Sequence, residues 1–95
     1  MYTVTLQDYP QIPDDLRQQA ERRYARALEK SLGGSEALAL AYKAWNWAEE
    51  SFGDLSEEEK TLALRWQRAA LKAAQEGFSS LGQVDSAYFE VRLDR

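Results

Sequence analysis

Arg22, Arg26 and Lys30 are spaced by four, so any helix that holds them carries all three on one line, and Arg23 lies close by. Arg65, Arg68 and Lys72 repeat the pattern further along the chain. Guanidinium and ammonium groups in a row can hold carboxylates or phosphates. Each stripe is therefore a candidate contact for an acidic or phosphate-rich partner. A solvated helix face is the commoner use of such a stripe, and Glu21 and Glu29 stand on the same segment to pair with it in part. Neither stripe has exposed aromatic side chains interleaved with it, so single-stranded nucleic acid is not supported as the ligand.

The acidic run Asp54, Glu57, Glu58 and Glu59 offers oxygens to a hard cation such as calcium. It lacks the alternating ligand spacing and the glycine of a calcium loop. Helix capping and compensation of the helix dipole account for the same residues. Trp45, Trp47 and Trp66 could line a ligand pocket, but at apolar helical positions tryptophan more often belongs to a core. Trp45 and Trp47 cannot face the same way, because two helical residues are about 200° of rotation apart. One of them should be only partly covered.

Composition closes off most reaction chemistry. The 95 residues include no histidine and no cysteine, which removes the commonest general base, thiol nucleophiles and thiolate metal sites. The serines fall at expected caps and turns, and Gly33-Gly34 lacks the lysine and threonine spacing of a phosphate loop. An enzyme is not expected, nor is a cofactor or a bound metal. A net charge of −4 argues against bulk attraction to nucleic acid or anionic lipid. The first residues show no basic region followed by an apolar run. The most apolar segment, residues 35–52, has Lys43 at its middle and reads poorly as a membrane span. The expectation is a cytoplasmic protein of one domain with no direct membrane insertion.

The elements that position these residues follow from periodicity. Tyr2, Val4 and Leu6 alternate with polar residues, as do Phe89, Val91 and Leu93, so each terminus holds a short half-buried strand. The first helix should run from about residue 13 to 32, with Pro13 in its first position and Leu16, Ala20, Tyr24, Ala27, Leu28 and Leu32 inward. Gly33-Gly34 ends it and Ser35 caps the next. That second helix carries two apolar stripes, one through Leu38, Ala41, Trp45, Ala48 and Phe52, the other through Ala37, Leu40, Ala44 and Trp47. A helix apolar over so much of its girth is expected at the centre of the core, closed by Gly53. A third helix starts behind a capping box, Ser56 with Glu59, and stops at Gly77; its inner face is Leu62, Ala63, Trp66, Ala69, Ala70, Ala73 and Ala74. A loop bending at Gly82 leads to the last strand. The fold class is α+β, a three-helix core with a small two-stranded β-ribbon made by the N- and C-terminal segments.

Leu16, Ala20, Tyr24 and Ala27 on the first helix resemble the Ala-x3-Tyr-x2-Ala helix of the ChaB family. Ala44-Trp45 followed by Phe52 is similar to that family's Ala-Trp dipeptide with an aromatic seven residues on, and Ile12-Pro13-Asp14-Asp15 to its Leu-Pro-Glu opening. The likeness covers residues 12–52, mostly packing positions. The joint between the two helices is shorter here, the third helix has no clear counterpart, and Lys43 replaces an apolar residue. The resemblance implies a small bacterial α+β protein that regulates cation transport through an antiporter partner, with no catalytic residues.

Two functional classes follow. The first is a non-enzymatic regulator or adaptor that binds another protein through Arg22, Arg26, Lys30, Arg65, Arg68 and Lys72. The second is a small-ligand or cation-binding module. For self-association, the ribbon edges and a patch of Leu64, Leu71 and the outer tryptophan are candidate surfaces, with Glu90 and Arg92 opposing edge pairing. The balance favours a monomer over a homodimer.

Overall fold

The computed structural model describes residues 2–7, 12–79, 81 and 87–93. The order is β1 (Tyr2–Gln7), α1 (Asp14–Leu32), α2 (Ser35–Ser51), a 3-10 turn (Phe52–Asp54), α3 (Glu57–Phe78) and β2 (Tyr88–Leu93). The two strands pair antiparallel, with Tyr2 opposite Leu93, Val4 opposite Val91 and Leu6 opposite Phe89. That register gathers every inward apolar residue of the ribbon on one face, as the alternation requires. The molecule is α+β, with a three-helix core under a terminal ribbon.

The core is continuous from helices to ribbon. Tyr24, Leu28 and Leu32 of α1, Leu38 and Ala41 of α2, Trp66, Ala69 and Ala73 of α3, and Val91 of β2 form one buried cluster. Most inward residues of α3 are alanines, which bring its backbone close to its neighbours. Trp66 fills the wider gap, edge-on to Tyr42 with ring centroids 5.2 Å apart. Leu16 departs from the expected stripe. It is 37 % exposed, because it stands in the first turn of α1, ahead of the buried part of the helix.

The helix ends differ from expectation in instructive ways. Gly33 does end α1, in the left-handed conformation with φ 95°, and its N–H reaches the Glu29 carbonyl at 2.9 Å. Pro13 is the N-cap of α1 rather than its first helical residue; its extended ψ of 145° places it just outside. Gly34, not Ser35, is the N-cap of α2, and no side chain caps that end. The two-residue joint leaves the serine already inside the helix. α2 stops at Ser51, before Gly53, as the chain tightens into the 3-10 turn. Ser56 and Glu59 form the full capping box, with both reciprocal hydrogen bonds present.

Gly77 is not a terminator. α3 runs through it to Phe78, and Gly77 is buried. A Cβ there would lie 2.5 Å from Cζ of Phe89 and 3.3 Å from the Ala20 carbonyl oxygen. The glycine is present so that the ring of β2 can sit directly on the backbone of α3. The loop bend expected at Gly82 lies outside the described residues.

α2 is not the enclosed centre. The broadest helix contact is between α1 and α3, with α2 packed chiefly against α3. Only Leu38, Ala41 and Ala44 of α2 are buried. On the stripe through Ala37, Leu40, Ala44 and Trp47 only Ala44 is buried, and Leu40 and Trp47 are 58 % and 54 % exposed. Trp45 packs partly against the core, so Trp47 is the outer tryptophan.

Candidate functional site

The first turns of α1 carry Asp14 and Asp15, whose charges favour the positive end of the helix. From there the helix rises 1.5 Å per residue, so Arg22, Arg26 and Lys30 form a row about 12 Å long. α3 packs beside this row and brings Lys72 to it. Arg22, Arg23, Arg26, Lys30 and Lys72 line one open groove of 850 Å³ between the two helices, together with Gln19, Ala27, Ser31 and Glu76. Among the described residues, five cations therefore share a groove with a single carboxylate.

The expected partial pairing of this stripe with Glu21 and Glu29 does not form. Both carboxylates serve the ribbon. The Leu6 N–H donates to Glu21 Oε2 at 2.8 Å, and the Tyr2 hydroxyl donates to Glu29 Oε2 at 2.7 Å. Arg17 completes the clamp by donating to the Leu6 carbonyl at 2.8 Å. One side of α1 thus holds β1 with its acids while the other presents its bases. Among the described residues, the ion pairs are Lys60 with Glu57 and Arg92 with Glu90, neither of them in the groove.

The expected second stripe is split. Lys72 joins the groove, while Arg65 and Arg68 stay exposed on α3 and do not line it. Arg23 belongs to the groove although it lies off the line through Arg22, Arg26 and Lys30. Only the placement of α3 beside α1 shows this, since Arg23 stands 100° round the helix from Arg22 and the spacing does not say on which side a neighbour packs.

A second recess, of 540 Å³, lies beside β2. Tyr24, Tyr42, Trp45, Trp66, Phe78 and Phe89 supply aromatic walls, and Leu71 and Tyr88 stand at it. Phe89 stacks on Tyr24 at 4.3 Å between centroids and leans on Phe78 at 4.8 Å. In the acidic run Glu59 is taken up by the capping box, and among the described residues no three carboxylates come together. Among them, too, no helix is long and apolar enough to cross a membrane.

Two phenols are held in their protonated form. Burial pushes Tyr24 up to about 12. Tyr2 also rises to about 12, through burial first and then its bond to the Glu29 carboxylate. In the unfolded chain each titrates near 10. The folded state therefore keeps protons that the unfolded state loses, and the associated stability is intact below pH 10 and drains as pH climbs toward 12. Tyr24→Phe is expected to flatten part of that fall, read as the urea midpoint against pH. An identical slope in both proteins would remove Tyr24 as a cause.

Compared with protein-family models, curated proteins and solved structures, the chain shows no significant match. The positions of the ChaB-like likeness are mainly structural: Ala20, Tyr24 and Ala44 are buried, Ala27 and Trp45 partly so, and Phe52 is exposed with Lys60 Nζ 5.5 Å from its ring centre. They shape the helices and contribute only Ala27 to the groove.

Proposed function

We propose that this protein is a non-enzymatic adaptor or regulator that holds an acidic segment of another protein in the groove between α1 and α3. One observation carries the reading: Glu21 and Glu29 are drawn to the ribbon, so Arg22, Arg23, Arg26, Lys30 and Lys72 converge on the groove against Glu76 alone. An incoming carboxylate relieves repulsion among these cations, and arginine offers it a two-pronged hydrogen bond. The row is short, matching a few side chains of an extended or helical acidic segment. Nucleic acid fits less well. Among the described residues no aromatic ring lines the groove to stack on bases. A regulatory role through a protein partner also agrees with what the ChaB-like resemblance implies. The alternative class, a small-ligand module, has the aromatic recess beside β2 in its favour.

The location is tested by amide shift mapping with a Glu/Asp-rich peptide and its Gln/Asn counterpart. The acidic peptide is expected to move resonances around Arg22, Arg23, Arg26, Lys30 and Lys72, less so as salt rises, while the neutral one moves none. Shifts centred on Arg65 and Arg68, or equal effects of both peptides, would refute the assignment.

A further inference from the structure

The hydrogen bonds of Leu6 fix which way the ribbon's backbone points. Its N–H goes to Glu21 and its carbonyl receives Arg17, both on α1 and away from β2. In an antiparallel ladder the N–H and C=O of one residue point to the same side, and the side alternates along the strand. Leu6 opposite Phe89 is therefore a pair that exchanges no backbone hydrogen bonds. By alternation Tyr88, Glu90 and Arg92 bond to β1, and Phe89, Val91 and Leu93 turn their backbone groups to the outer edge of β2. Among the described residues no further strand and no backbone hydrogen bond reaches that edge. The outer edge of β1, by contrast, is bonded to α1 at Leu6.

We infer that the β2 edge pairs with β2 of a second copy, centred on Val91. Charge complementarity selects both the occupant and the register. Antiparallel self-pairing through Phe89, Val91 and Leu93 admits three overlapping registers. Centring on Glu90 sets Glu90 against its own copy, and centring on Arg92 sets Arg92 against its own copy; like charges directly opposite are unfavourable. Centring on Val91 places Phe89 opposite Leu93 of the other copy, engages all three outward residues, and sets Glu90 across from Arg92 twice. These charged residues face the solvent side, where they already bond within the strand at 3.3 Å. They guide edge pairing rather than oppose it. The symmetry axis of such a pair is normal to the sheet, so both helical layers fall on one face. The second copy then lies alongside the recess, at which Leu71 is 64 % exposed. At Leu6 the β1 edge is taken by α1, which opposes growth of the assembly into a filament.

Charge swapping tests the register. Sedimentation equilibrium of the full chain should show a mass rising from monomer to dimer through the micromolar range. Glu90→Arg and Arg92→Glu should each weaken the dimer roughly tenfold or more, because symmetry repeats each repulsion. The double swap, Glu90→Arg with Arg92→Glu, should restore it, and thermal melts at low concentration confirm that each variant folds. In parallel, amide exchange at Phe89, Val91 and Leu93 should slow as concentration rises. A monomer at high micromolar concentration with those amides exchanging fast overturns the proposal and leaves the edge to an extended segment of another protein. Amides already protected in the dilute monomer overturn it too, by showing that the chain covers its own edge. A dimer indifferent to the single reversals rejects the Val91-centred register.

Discussion

Phe89→Ala is expected to lower unfolding stability by about 3 kcal/mol, the low end of the range for a core phenylalanine because the ring is only partly covered. The ring joins β2 to the helices. It stacks on Tyr24 with planes 17° apart, touches Phe78, and lies on the bare backbone at Gly77. Removing it leaves a void on three sides that glycine cannot fill. A protein of this size has on the order of 5–14 kcal/mol in total, so the loss is a large share. Urea unfolding provides the measurement. Since a ribbon alone is marginal, its strand amides should also lose exchange protection before those of α1 and α3. A loss under about 1 kcal/mol would mean that the ring contributes little to holding the ribbon.

The second large effect runs against helix propensity. Alanine is ordinarily better than glycine inside a helix by about 1 kcal/mol. At Gly77 the order should reverse, because the added Cβ meets Phe89 Cζ at 2.5 Å and Cε2 at 2.8 Å. The ring cannot swing aside freely while it stacks on Tyr24. Gly77→Ala is expected to destabilise by about 1 kcal/mol net, and Gly77→Val by about 2–3 kcal/mol, through overpacking. Phe89→Leu should rescue part of the Gly77→Ala loss, giving a coupling of about 1 kcal/mol in a double-mutant cycle. Stabilisation by Gly77→Ala, or additivity with Phe89→Leu, would contradict this close approach.

Periodicity made much of the fold legible. The alternation at Tyr2, Val4 and Leu6 and at Phe89, Val91 and Leu93 describes strands with one buried face, and both pack as it requires. The alanine-rich face of α3 and the Ser56–Glu59 box were equally readable, because they depend on residues within a turn or two. Gly77 is ambiguous in the sequence because a glycine near a helix end has two uses, a stop or a close approach. Which one applies depends on a ring twelve residues away in sequence. α2 was overrated for a similar reason: apolar side chains on two faces say what a helix can bury, not how many neighbours it has. The groove was legible only in part. The row Arg22, Arg26 and Lys30 follows from spacing, but the addition of Lys72 and Arg23 depends on α3. The diversion of Glu21 and Glu29 to Leu6 and Tyr2 depends on the ribbon. No local rule assigns a carboxylate to a backbone N–H fifteen residues away in preference to an arginine one turn along.

The groove itself is tested most directly by two substitutions that change the charge equally on the same helix. Lys72 lines the groove, and Arg65, two turns earlier on α3, does not. Both are exposed, so neither reversal should disturb the core. The dissociation constant of a labelled Glu/Asp-rich peptide, measured near physiological ionic strength, should rise about tenfold in Lys72→Glu through the lost attraction and new repulsion. In Arg65→Glu it should change by no more than about twofold, since charges beyond a Debye length of about 8 Å are largely screened. Equal losses in the two variants would mean that binding follows overall charge and not the groove, and no loss in Lys72→Glu would contradict the groove outright.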